Sequence, residues 1–238
     1  DGVIGVNDLM QLLSSFGTDC APTEEPETAE WTCGDPVSYH GYDYATVQIG
    51  EQCWFAENLR SLQYTNGEAL ASIQGASNWE GSTIGSVCSH GNNPAHEEVH
   101  GLLYNWYAAS DDRGLCPNNW HIPSDDDWLQ MELFLGMNEI DAFNTGSRGT
   151  DQGSQLKNSI DDSPTWDGTN QTGFSAIGSG ARLPNGSFDA LTSSGFYWLG
   201  STSSDLPWVR ALSFGYPTIT RSSSLDIGYG LSIRCLKD

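Results

Sequence analysis

Lysine is almost missing from this sequence. Lys157 and Lys237 are the only two, and all cations together number 9 against 31 aspartates and glutamates, a formal net charge of -22. Nucleic acid and anionic membrane are held by clustered cations, so both are expected to be poor partners. No apolar run of 18 residues and no signal-peptide pattern occurs, so the chain as given does not span a membrane and reads as mature secreted protein. Among six cysteines there is no Cys-x-x-Cys pair, which argues against a zinc ribbon or a thioredoxin-like centre and for disulfides. Six cysteines allow fifteen pairings, and buried free thiols are the alternative. Nucleophile elbows, phosphate loops and internal repeats are likewise missing.

What is present begins with length: 238 residues are enough for one large domain and a small appendage. The best-specified element starts at Ser124. Its side chain suits an N-cap, Asp127 three residues on replaces the Glu of a capping box, and Asp125, Asp126 and Asp127 sit where a helix dipole is positive. Trp128, Met131, Leu133, Phe134 and Leu135 give an apolar face, which Gly136 ends. Upstream, Val47–Ile49 and Gln52–Phe55 flank Gly50-Glu51, a hairpin turn. Residues 136–170 read as a polar, Gly-rich excursion apart from Ile140, Phe143, Leu156 and Trp166. Short strands follow at 196–198, 208–212, 219–221 and 231–234. Alternation places Val209 and Ala211 inward and Arg210 outward, as in a half-exposed antiparallel sheet.

The first 17 residues read differently. Asp1-Gly2-Val3-Ile4-Gly5-Val6-Asn7-Asp8-Leu9 looks like the second half of an EF-hand or dockerin calcium loop. Asp1, the Val3 carbonyl and Asp8 are its candidate ligands, and the earlier ones are absent because the chain starts at the fifth loop position. Leu9, Leu12, Leu13 and Phe16 line one helical face up to Gly17, and a plain amphipathic helix explains them equally. Residues 18–33, with Pro22, Pro26 and four glutamates, read as an extended, self-repelling linker before a large domain at 34–238.

Several segments of that domain carry a resemblance. Cys116-Pro-x-x-Trp120-His121-x-Pro123-Ser124-Asp125-x-x-Trp128 is similar to the signature of the Fibrobacter succinogenes major paralogous domain, a module of secreted bacterial proteins. Tyr44–Arg60, Gly101–Ala109, Thr172–Ala176, Tyr197–Thr202 and Gly230–Cys235 match it in order. The resemblance implies an α+β, C-type-lectin-like fold of short strands, few helices and long loops, stapled by disulfides. It couples Cys116 with Cys235, which leaves Cys53 with Cys88 and Cys20 with Cys33 as the natural remaining pairs. Formylglycine-generating enzymes share the implied fold but use a pair of cysteines near the C-terminus. Here only Cys235 is available, so that activity lacks its reagent.

Other constellations are weaker. His96-Glu97-Glu98-Val99-His100 matches the zinc-protease pattern, which needs a helix to bring both imidazoles to one metal, yet Pro94 and Gly101 confine it to one or two turns. Pro184-Asn185 resembles part of the sugar and calcium motif of C-type lectins, but Leu183 stands where a carboxylate is required, and a turn is the simpler reading. Asn92, Asn93 and Glu97 form a loose oxygen-rich set. Nine tryptophans and nine tyrosines could line a sugar-stacking surface, but most coincide with motif positions that read as core. The sequence therefore leads to the expectation of a non-enzymatic extracellular structural or adhesive module, assisted by Ca2+. Its partners would be other copies or neighbouring extracellular proteins. A lectin-like module binding a glycan through its loops is the alternative.

Overall fold

Residues 5–15 and 31–238 are described by the computed structural model, and contacts divide the chain into the units Asp1–Thr32 and Cys33–Asp238. In the first unit Val6–Ser15 is a helix, with Val6, Leu9 and Met10 exposed. Asp8 falls within this helix, while Asp1, Val3, Phe16, Gly17 and Cys20 lie outside the described residues. Most of the linker, 18–30, lies outside them too. Cys33 belongs to the large unit, one residue ahead of the expected start.

The large unit is α+β, mostly sheet. Gly50 at φ +62° reverses the chain between Thr46–Ile49 and Gln52–Phe55, and Ile49 pairs directly with Gln52. This is the conformation a Cβ resists. The hairpin belongs to a four-stranded antiparallel sheet completed by Leu236–Lys237 and Trp120–His121, so both ends of the unit meet there. Val37–Tyr39 and Tyr42–Tyr44 pair on their own, and a ten-stranded sheet carries the rest. Its spine is the long hairpin Ser194–Ser203 and Leu206–Ser213, continued by Ile219–Ser222 and the edge strand Gly146–Arg148. On the other side of Ser194–Ser203 come Ser179–Arg182, Gly230–Leu231, Leu103–Asn105, Ser86–Cys88 and Ala71–Ser72.

The helix Asp125–Phe134 covers the spine. Its Trp128 meets Trp54 and Phe174, each with ring centroids 5.6 Å away, and the signature tryptophans are thus packing residues. None of the nine tryptophans is exposed; Trp54, Trp79, Trp128, Trp166 and Trp198 are buried.

Three expectations are corrected. Arg210 does not face outward: it is fully buried alongside Val209 and Ala211, because the helix and the segment 136–148 cover the face that alternation assigned to solvent. Residues 136–170 are not an excursion but contain helices Glu139–Ala142 and Gln152–Leu156 and a paired edge strand. Phe134, counted on the apolar face, is 64 % exposed.

Cys116 and Cys235 are bridged, and the second bridge joins Cys33 to Cys53, each with Cα atoms 5.8 Å apart. The pairs Cys53 with Cys88 and Cys20 with Cys33 therefore do not form. The reason is topological. Cys53 lies in the four-stranded sheet, whereas Cys88 lies in the ten-stranded one, buried against Trp79 and Leu103. Burial there pushes the Cys88 thiol up to about 11, so it is a packing residue and a poor nucleophile. Strand 231–234 is also shorter than expected, ending at Leu231, with Ser232 making a single bridge to Tyr197.

Candidate functional site

The helix start has the expected chemistry. Ser124 Oγ accepts from Asp127 N at 3.2 Å, and Asp127 Oδ2 accepts from Ser124 N at 2.7 Å, a complete capping box. The cap sets the first turn so that Asp125 points into the protein. Its Oδ1 accepts from Arg210 Nη1 at 2.8 Å and Arg221 Nε at 2.9 Å, and its Oδ2 from Arg221 Nη2 at 2.6 Å. Two turns on, Glu132 Oε1 accepts from Arg210 Nε at 2.8 Å and Oε2 from Arg148 Nη2 at 2.7 Å. All five side chains are buried. Burial alone would raise the Asp125 carboxyl, but hydrogen bonds from Arg221 and Arg210 outweigh it and hold the group below its ordinary value. Every carboxylate oxygen in the cluster is taken by a guanidinium. Asp125 therefore serves as an internal ion-pair partner, not as a calcium ligand.

The same pattern recurs across the molecule. Lys157 Nζ donates to Asp167 Oδ1 at 2.7 Å and to the carbonyls of Ser213 and Tyr216 at 3.0 Å. Arg234 donates to Asn58 Oδ1 at 2.8 Å and to the carbonyls of Phe55, Phe174 and Ser175, over the face of Phe174. Burial brings its pKa down to about 10. Arg182 lies 4.3 Å from the Trp79 ring centroid and 4.8 Å from that of Phe188, and donates to the Gln74 and Gly75 carbonyls. Six of the nine cations, Arg148, Lys157, Arg182, Arg210, Arg221 and Arg234, are thus inside. Of the other three, Arg60 and Arg113 are ion-paired with Glu57, Glu68 and Asp111. Sequence reading missed this set. The signal was there, since Arg210, Arg221 and Arg234 each sit within two residues of strand-forming apolar residues in a chain poor in cations.

The remaining candidates separate. His96 and His100 share the helix Pro94–His100 with ring centroids 5.9 Å apart, and His90 adds a third ring 5.8 Å from His96. The His96 Nδ1 lies 2.8 Å from the His90 carbonyl oxygen, and the His90 Nε2 lies 3.2 Å from that of Asp189. Among the described residues no group of three or more His, Cys, Asp or Glu is arranged to hold a metal ion. Asn93 caps this helix and Asn92 donates to the Gln74 carbonyl, so both amides are used structurally. Asn185 accepts from Ser187 N and Oγ, the expected turn.

The histidines carry a pH prediction. Burial holds His100 down to about 4, with His96 and His90 adding repulsion, and burial lowers His90 as well. A histidine depressed on folding stabilises above its unfolded value of 6.5 and loses that contribution as pH falls toward the folded value. Stability is therefore expected to drop by roughly 1–3 kcal/mol between about pH 6.5 and 4, before the carboxylates of Asp125 and Asp127 protonate. Thermal unfolding across that window checks it, and His100→Gln should flatten the slope. His121, raised by its hydrogen bond to Asp127, acts with the opposite sign: its contribution is present below pH 6.5 and is lost as pH rises through its folded value.

A cleft of about 410 Å³ is lined by Glu57, Arg60, Glu98, Asn158 and Ser175, among others. Two depressions of about 470 and 290 Å³ flank the exposed Phe134. No helix among the described residues is long and apolar enough to cross a membrane.

Compared with known proteins, residues 47–237 match the family described as the Fibrobacter succinogenes major domain. No curated protein and no solved structure matches.

Proposed function

We propose a function from one premise, that this chain belongs to the Fibrobacter succinogenes major domain family: its large unit is a non-catalytic contact module of an extracellular assembly. The observation that supports this most is the partition of charge. With six of nine cations internal, and only Asp125 and Glu132 buried among the acids of the described residues, the surface is far more one-signed than the sequence total suggests. Such a surface repels its own copies at low salt and takes up divalent cations between carboxylates. Two disulfides fit an oxidising, extracellular setting.

In this reading the fold is C-type-lectin-like and Ca2+ assists its contacts. Contact between copies uses strand edges such as Gly146–Arg148, which can accept a neighbour's backbone. Sedimentation velocity over a concentration series in calcium tests the proposal. Mass-dependent association is the expected result, and a monomer at every concentration contradicts it. A second reading, a lectin-like module that binds a glycan, is supported by the surroundings of Phe134.

A further inference from the structure

We infer that the surface around Phe134 is a calcium-independent binding site for a neutral glycan. The inference rests on the second reading above and gives it a place and a ligand class. Phe134 ends its helix with 64 % of its surface in solvent, although it is a large apolar residue. It is held there rather than left loose. The ring lies on the backbone of Gly50, where an added Cβ would come within 3.0 Å of its Cγ. Glycine at this turn thus both permits the φ of +62° and makes room for the ring.

The residues around the ring are chemically selective. The sequence contains nine glutamines, and five of them, Gln48, Gln52, Gln130, Gln155 and Gln171, line the two depressions on either side of Phe134; Gln52 is buried with its amide spent on the Asp127 carbonyl and the Trp54 indole, which leaves the other four for a ligand. They come from the hairpin, the capped helix, the helix Gln152–Leu156 and the loop before Phe174, so the fold gathers them from four separate segments. Gln48 Nε2 donates to the Gly50 carbonyl at 3.2 Å, and Gln155 Nε2 to the Leu135 carbonyl at 3.3 Å, which orients each amide and leaves its oxygen to accept. The Gln171 side chain makes no hydrogen bond among the described residues and is exposed, so it offers both donor and acceptor. Among the described residues the only charged side chain lining either depression is Glu51, in a chain of net charge -22.

That combination selects the ligand. An exposed aromatic ring stacks on the apolar face of a pyranose, and amides match hydroxyl groups because both donate and accept. A cationic partner would be favoured almost anywhere else on this surface, but not here, where carboxylates are scarce. A protein partner would call for a broader apolar centre than one ring. Depressions of about 470 and 290 Å³ are of small-ligand size. Because the amides and ring need no metal to form the site, binding should not depend on calcium.

Affinity electrophoresis against soluble mannan, β-glucan, galactan and anionic alginate, each with calcium or with chelator, tests this. Retardation by at least one neutral polysaccharide, unchanged by chelator and absent with alginate, is expected. Phe134→Ala should weaken it at least tenfold and Gln171→Ala severalfold, while Phe134→Trp retains it. Both positions are exposed, so near-UV circular dichroism should confirm that the variants fold. Unchanged retardation in Phe134→Ala would overturn the site while leaving the lectin reading in place on another surface. No retardation by any neutral polysaccharide would overturn both, and self-association in calcium would be unaffected by either outcome.

Discussion

Glu132→Ala is expected to cost about 3–5 kcal/mol of unfolding free energy. Glu132 is fully buried and accepts from Arg210 at 2.8 Å and Arg148 at 2.7 Å. Its removal leaves Arg148 with only the Asn144 carbonyl and the Met137 sulfur, and Arg210 with Asp125 alone. Arg210 and Arg221 would then share Asp125 while Arg148 keeps no carboxylate in a buried site, and that uncompensated charge sets the cost. Glu132→Gln keeps the shape and part of the hydrogen bonding and should cost less. Urea denaturation measures both, and a midpoint change without a change of slope identifies a stability effect. A loss under about 1 kcal/mol for Glu132→Ala would mean that the cluster is solvated.

Breaking the Cys116–Cys235 bridge is expected to cost about 2–5 kcal/mol. It closes a segment of 119 residues, whereas Cys33–Cys53 closes 20, and the entropy removed from the unfolded chain grows with the length enclosed. The double variant Cys116→Ala/Cys235→Ala should therefore lose more than Cys33→Ala/Cys53→Ala. The longer bridge also secures the last strand: Phe55 N donates to the Cys235 carbonyl at 2.9 Å, and Leu236 pairs with Trp54. Calorimetric midpoints of the two double variants compare them directly. Equal losses would show that native-state packing, not chain entropy, dominates.

These two effects also mark what the sequence made legible. The capping box at Ser124 and the turn at Gly50-Glu51 are local devices, readable because their partners lie three residues apart or adjacent. The Cys116–Cys235 pair was readable only through the family resemblance. Arg210 shows the limit. Alternation along Trp208–Leu212 says which residues share a face, but not that the polar face is covered as well, since its cover arrives from positions 125, 132 and 148. The polarity of 136–170 misled for the same reason, because Arg148 and Lys157 are internal ion-pair partners there. Cys53 was mispaired because sequence order does not reveal that Cys53 and Cys88 belong to different sheets. Phe134 continues its helix's apolar pattern, and only the approach of Gly50 shows that the ring lies outside the core.

The proposal that the module works by contact predicts how it responds to cations. Paired light-scattering titrations, one with calcium chloride and one with sodium chloride at equal ionic strength, test it most directly. Screening depends on ionic strength alone, whereas bridging between carboxylates needs a site-bound divalent ion. Scattering is expected to rise with calcium well before sodium has an effect, and chelator should reverse the rise. Superimposable titrations, or no rise in either, would contradict it.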